Sequence, residues 1–128
     1  MENTEYKKML IERARNVSLA TMKLVDTFPT RDFSLKIIAQ QVFRSATSIG
    51  ANIAEAQGAS SRKDFINFLH HALKSANETY YWLNLLKDSK KVTTEKINPL
   101  LEETEEISKL LGSSILSLKG KRENEVKS

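Results

Sequence analysis

No cysteine occurs in the 128 residues, so the chain can form neither a disulfide nor a thiolate metal site. That absence suits a reducing compartment, and the expected location is the cytoplasm. Glycine, with four residues, and proline, with two, are both scarce, which argues for long regular elements joined by short turns. The four glycines, Gly50, Gly58, Gly112 and Gly120, are scattered, so no phosphate-binding loop is present. The only histidines, His70 and His71, are adjacent. They would point about 100° apart around a helix and could not chelate one ion together. The Glu-x-x-His pair that builds metal sites in helical bundles is also missing. Neither a metal nor a cofactor is therefore expected.

Long hydrophobic runs are lacking as well. The apolar-rich stretch Leu110 to Leu118 is uncharged but far short of a membrane span, so no membrane partner is expected. Met1 to Glu5 shows no apolar run of the signal-peptide kind. Serines abound, yet none sits in a strained glycine-flanked turn beside a base, as a nucleophile would require. Glu55 and Glu78 are the only isolated carboxylates in weakly charged stretches. An acid/base role for them is weaker than a structural ion pair, and the expected protein is not an enzyme. Asn16-Val17-Ser18 and Asn77-Glu78-Thr79 match the glycosylation pattern, but both fall inside helical periodicity and are read as chance.

What the sequence has is helical periodicity and a mild excess of positive charge, +4 overall. The charge is uneven: +5 over residues 1–91, −4 over 92–107 and +3 over 108–128. The acidic block Glu102-Glu103-Thr104-Glu105-Glu106 reads as the solvated outer face of a helix. Tyr6, Leu10, Ala14, Val17, Ala20, Leu24 and Phe28 recur every three or four residues and predict a helix over 5–28, stopped by Pro29. A second helix is predicted over 34–57, with Asp32 or Ser34 as its cap and Gly58 in the left-handed closing position. A third, over 61–88, opens on the capping sequence Ser61-Arg62-Lys63-Asp64. Its heptad seam runs Phe65, Leu69, Ala72, Ala76, Thr79, Leu83 and Leu86. A fourth, over 93–118, carries Ile97, Leu101, Thr104, Ile107, Leu111, Ser114 and Leu118 inward, with Pro99 either bending its start or marking a restart at Asn98. Residues 119–128 are polar and expected to fray. The predicted fold is a single all-α domain over 1–128: an antiparallel up-down-up-down four-helix bundle.

The second helix is unusual in a way that bears on assembly. Between Arg44 and Arg62 the one charge is Glu55, and the residues around Ile49 and Ile53 are mostly Ala, Ser, Gly and Thr. A helix on the rim of a monomer normally opposes its apolar stripe with charge, so this one is expected to pack on more than one side. The residues assigned to that structural and oligomer core are Arg44, Ser48, Ile49, Asn52, Ile53, Glu55, Ser75 and Glu78. Arg44 and Glu78 are expected to form a partly buried ion pair that fixes helix register. Counted from a turn centred near residue 59, Arg44 would stand opposite Lys74, one turn from Glu78.

Arg44-Ser45-Ala46-Thr47-Ser48-Ile49-Gly50-Ala51-Asn52-Ile53-Ala54-Glu55 is followed by Gly58, Ser60-Ser61, Lys63-Asp64-Phe65 and Phe68-Leu69, with Ala72, Ser75 and Glu78 beyond. Over roughly residues 6–118 the chain resembles the bacterial four-helix-bundle proteins called 23S rRNA intervening-sequence proteins. It departs from their pattern at Ala56, where glycine is usual, and at Ala59, where arginine is frequent. The resemblance implies a cyclic homopentamer. Relatives include accessory proteins of diversity-generating retroelements, which bind nucleic acid and a reverse transcriptase. Most members have no known activity.

The leading functional expectation is a non-enzymatic, oligomeric binding or scaffold protein that takes RNA or DNA on a basic rim. In an up-down bundle Lys7, Lys8, Arg62, Lys63, Lys119, Lys121 and Arg122 gather at one end, and these are the candidate nucleic-acid contacts. The alternative is an adaptor whose apolar helix faces hold a reverse transcriptase or another protein and never touch nucleic acid.

Overall fold

The computed structural model describes residues 4–127; within that range the side chains of 122, 123 and 125–127 fall outside the description. Four helices follow one another: α1 (Thr4–Val25), α2 (Phe33–Ala56), α3 (Arg62–Ser89) and α4 (Thr94–Lys127). α1 packs on α2 and α4, and α3 packs on the same two, so the helices stand at the corners of a square whose diagonal backbones stay apart among the described residues. The α2/α3 side is the most extensive and the α1/α4 side the thinnest. This is the all-α antiparallel bundle that the periodicity predicts.

The heptad seam of α3 is buried at every position from Phe65 to Leu86. In α1 the stripe is shifted by one residue: Thr21 is buried and Ala20 is exposed. A threonine is tolerated there because its hydroxyl donates to the Val17 carbonyl at 2.7 Å, and the 10-14-17-21-24 spacing then continues unbroken. In α4, Ile115 turns inward and Ser114 is only half-buried, where it meets the Tyr6 hydroxyl at 2.7 Å.

The ends differ from expectation in physically readable ways. α1 stops at Val25, not Phe28. Pro29 disfavours helical geometry in the residue before it, and the chain leaves through short bonds from Thr27 N–H to Leu24 and from Phe28 N–H to Val25. Asp32 caps α2 by accepting from the Leu35 N–H. Gly58 does not take a positive φ; α2 unwinds instead through bonds from the N–H groups of Gln57, Gly58 and Ala59 to carbonyls three residues earlier. The left-handed residue is Lys90, with φ 59° at the end of α3. Ser61 caps α3 as expected, accepting from the Asp64 N–H at 3.0 Å, while the Asp64 carboxylate accepts from Ser60 N–H.

α4 is continuous from Thr94 through Pro99, so the restart at Asn98 does not occur. The tail expected to fray is helical through Lys127: Leu118 remains buried at 2% exposure, and the residues beyond it are largely good helix formers. At 34 residues α4 is about 51 Å long, against about 33 Å for the 22 residues of α1.

Gly50 lies against α1. A Cβ placed there would meet the Ala14 Cβ at 3.6 Å and its backbone at 3.7 Å, ordinary contact distances. α1 therefore comes near enough to touch a side chain at this position while leaving room for alanine.

Candidate functional site: the α2/α3 seam and the basic end

The α2/α3 side is laced with small polar contacts. Thr79 donates to the Ser45 hydroxyl at 2.8 Å, and Ser45 in turn donates to the Val42 carbonyl at 3.2 Å. One turn along, Ser75 donates to the Ser48 hydroxyl at 2.8 Å. The Asn52 amide closes on Ser48 as well, 3.0 Å from its hydroxyl and 2.9 Å from its carbonyl. Further out, Arg44 pairs with Glu78 and also donates to Gln41, while the Trp82 indole N–H donates to the same Glu78 carboxylate at 3.0 Å. Beneath these contacts Ile49 and Ile53 fill the core. The seam therefore spends its polar groups on one another.

The pairing of Arg44 with Glu78 is as expected, but two details differ. The side chains are 58% and 36% exposed, so the pair is a surface one. It also stands directly across the seam, as do Ser45–Thr79 and Ser48–Ser75. A count from the turn centre misses this because side chains lean toward the N-terminus of their own helix. In antiparallel neighbours both leans act in the same sense and bring higher-numbered residues together. Glu55, assigned to the same core, is exposed and takes no part in the seam.

Of the acidic block, Glu102, Glu105 and Glu106 are exposed as predicted. Glu103 is not free in solvent. Arg13 grips it with Nε 2.8 Å from one oxygen and Nη2 2.6 Å from the other, and this bond raises the Arg13 pKa above its ordinary value. Sequence reasoning missed this pair; Arg13 and Glu103 lie ninety residues apart, and no local spacing marks them.

The basic residues share one end of the bundle, where α1 begins, α2 turns into α3, and α4 runs out. Lys8, Lys63, Lys119 and Lys121 are exposed there, and Arg62 is half-buried. The Lys7 ammonium lies 5.9 Å from the centre of the Phe65 ring. This aromatic ring is buried and offers no free face to a base. Lys7, Arg62 and Phe65 line an open depression of about 300 Å³ with Gln57 and Ser61. The side chain of Arg122 lies outside the described residues. At the opposite end Lys91 ties the two remaining turns together, reaching both Asp32 oxygens at 3.0 Å and the Ser34 hydroxyl at 2.9 Å. The Asp32 pKa is lowered, first by the Leu35 N–H and then by Lys91.

Among the described residues no group of three or more His, Cys, Asp or Glu side chains could hold a metal ion. No helix of the described residues is long and apolar enough to cross a membrane.

These features belong to an all-α antiparallel four-helix bundle with an internally bonded polar seam and a basic end. The chain belongs to the 23S rRNA-intervening sequence protein family, whose description matches residues 7–113. It is also similar to a crystallised protein of unknown function from the S23 ribosomal protein family of Bacteroides thetaiotaomicron VPI-5482. The two are 39% identical with a TM-score of 0.78, over 85% of this chain and 96% of that one. None of the curated proteins compared with the chain matches it.

Proposed function

We propose that the protein is a non-enzymatic, homo-oligomeric scaffold that binds RNA or DNA weakly through its basic end, with cyclic assembly, a pentamer by family resemblance, multiplying each cluster. The observation that carries assembly is the outer surface of α2. Over its 24 residues the only charges are Lys36, Arg44 and Glu55, and Arg44 is already held by Glu78. Phe33, at 78% exposure, and Ile37 stand free on the same helix. Apolar surface of this kind is a liability on a monomer. Symmetry supports the second half of the reading, because each subunit's Lys8, Lys63, Lys119 and Lys121 recur around a ring.

Phosphate contacts without stacking faces give binding that is salt-sensitive and poor in sequence preference. The test is affinity for an unrelated single-stranded oligonucleotide across a salt series. A steep fall with salt, lost in the Lys8→Glu/Lys63→Glu double variant, is expected; binding that is absent at low salt, or that ignores both substitutions, contradicts the reading. The adaptor alternative draws on a separate observation: Tyr81, 60% exposed, and Leu85 stand out on α3 far in sequence from the basic residues. It predicts capture of a protein partner that is unaffected by the lysine substitutions and abolished by Tyr81→Glu.

A further inference from the structure

At the end of the bundle away from the basic cluster, α1, its following turn and α2 enclose an open groove of about 300 Å³. Its walls are Val25, Phe28, Pro29, Ala39 and Phe43, and its edge carries Lys36, Thr30 and Gln40. Phe28 lines it because Pro29 ends α1 early and lays the aromatic ring beside α2 instead of prolonging the helix. The volume and the mix of apolar wall and few polar groups are those of small-ligand sites. Lys36 is exposed, and among the described residues no carboxylate pairs with it. The nearby Asp32 is engaged by Lys91 and the Leu35 N–H. One unopposed cation beside an apolar trough fixes the sign of the charge a ligand should carry.

We infer that this groove binds a small amphipathic anion: an apolar ring or chain about the size of two fused rings, carrying one carboxylate or sulfonate that meets the Lys36 ammonium. Thr30 and Gln40 offer hydrogen bonds to the same head group. This inference is independent of nucleic-acid binding, since the groove and the lysine cluster occupy opposite ends of the molecule.

The experiment titrates the intact protein with two fluorescent probes of nearly one shape, 8-anilinonaphthalene-1-sulfonate and the uncharged N-phenyl-1-naphthylamine. The expected result is one saturable site per subunit, tighter for the sulfonate. Lys36→Glu should weaken the sulfonate about tenfold, the size of one charge-assisted contact, and leave the neutral probe within about twofold. Ala39→Phe, which fills the trough, should abolish both while thermal melting confirms a folded bundle; if that variant fails to fold, Ala39→Leu serves, with partial loss of both probes expected. Equal affinity for the two probes, an unchanged sulfonate affinity in Lys36→Glu, or binding that survives filling of the trough overturns the inference. So does the absence of saturable binding in the wild-type protein.

Discussion

Four hydroxyl side chains, Thr21, Ser45, Thr79 and Thr104, are fully buried in the bundle, and three of them have found partners. The Thr104 hydroxyl has no partner among the described residues. A buried hydroxyl without a hydrogen bond is a standing penalty, while one inside a network contributes. Two substitutions of matched shape should therefore move stability in opposite directions. Thr104→Val is expected to stabilise by about 1 kcal/mol and Thr79→Val to destabilise by about 1 kcal/mol, as read from urea unfolding midpoints. At the other end of α3, Lys90 holds φ at 59° without being glycine. Lys90→Gly is expected to gain about 1 kcal/mol in the same measurement, because glycine adopts that geometry without a Cβ clash. The Arg44–Glu78 pair is too exposed to supply several kcal/mol, and its worth falls in the range of surface pairs, below about 1 kcal/mol. Its visible consequence is orientation of Trp82.

At the scale of elements, periodicity carried most of the information. The α3 seam, the caps at Asp32 and Ser61 and the stop near Pro29 were all legible, since each is a local rule about one helix. Three things were not. The one-residue shift to Thr21 depends on a back-bond that apolar patterning ignores. The left-handed residue sits at Lys90 and not at Gly58 because the α2–α3 turn is negotiated with short helical bonds, whereas α3 needs a sharp reversal. The register across α2 and α3 depends on the lean of side chains, which no count of turn residues includes.

The two turns opposite the basic end are joined by Asp32 and Lys91, and this clasp gives the elements a pH dependence. The folded-state pKa of Asp32 is lowered, so its contribution is present above the ordinary carboxylate pKa and is lost as pH falls through the folded value. Acidification below the usual carboxylate range should lower the melting temperature more in the wild type than in Asp32→Asn, which keeps a capping oxygen but has no charge to lose. Equal slopes of melting temperature against pH in the two proteins would contradict the clasp.

For the whole molecule, the sequence made the bundle and the basic end readable but not the relations among distant residues. Lys7 above Phe65 and Arg13 on Glu103 join positions 58 and 90 residues apart, and they turn two apparently free cations into packed ones. Lys8, Lys63, Lys119 and Lys121 are left as the exposed part of the cluster. A set this small binds polyanions usefully only when repeated, so the functional reading depends on assembly. The surfaces that call for assembly are the weakly charged exterior of α2 and the free apolar side chains Phe33 and Ile37. The most direct measurement is light scattering on the purified protein at micromolar concentration and physiological salt. A single species of about five times the 14.5 kDa chain mass is expected; a species at the chain mass itself, unchanged on concentration, contradicts assembly.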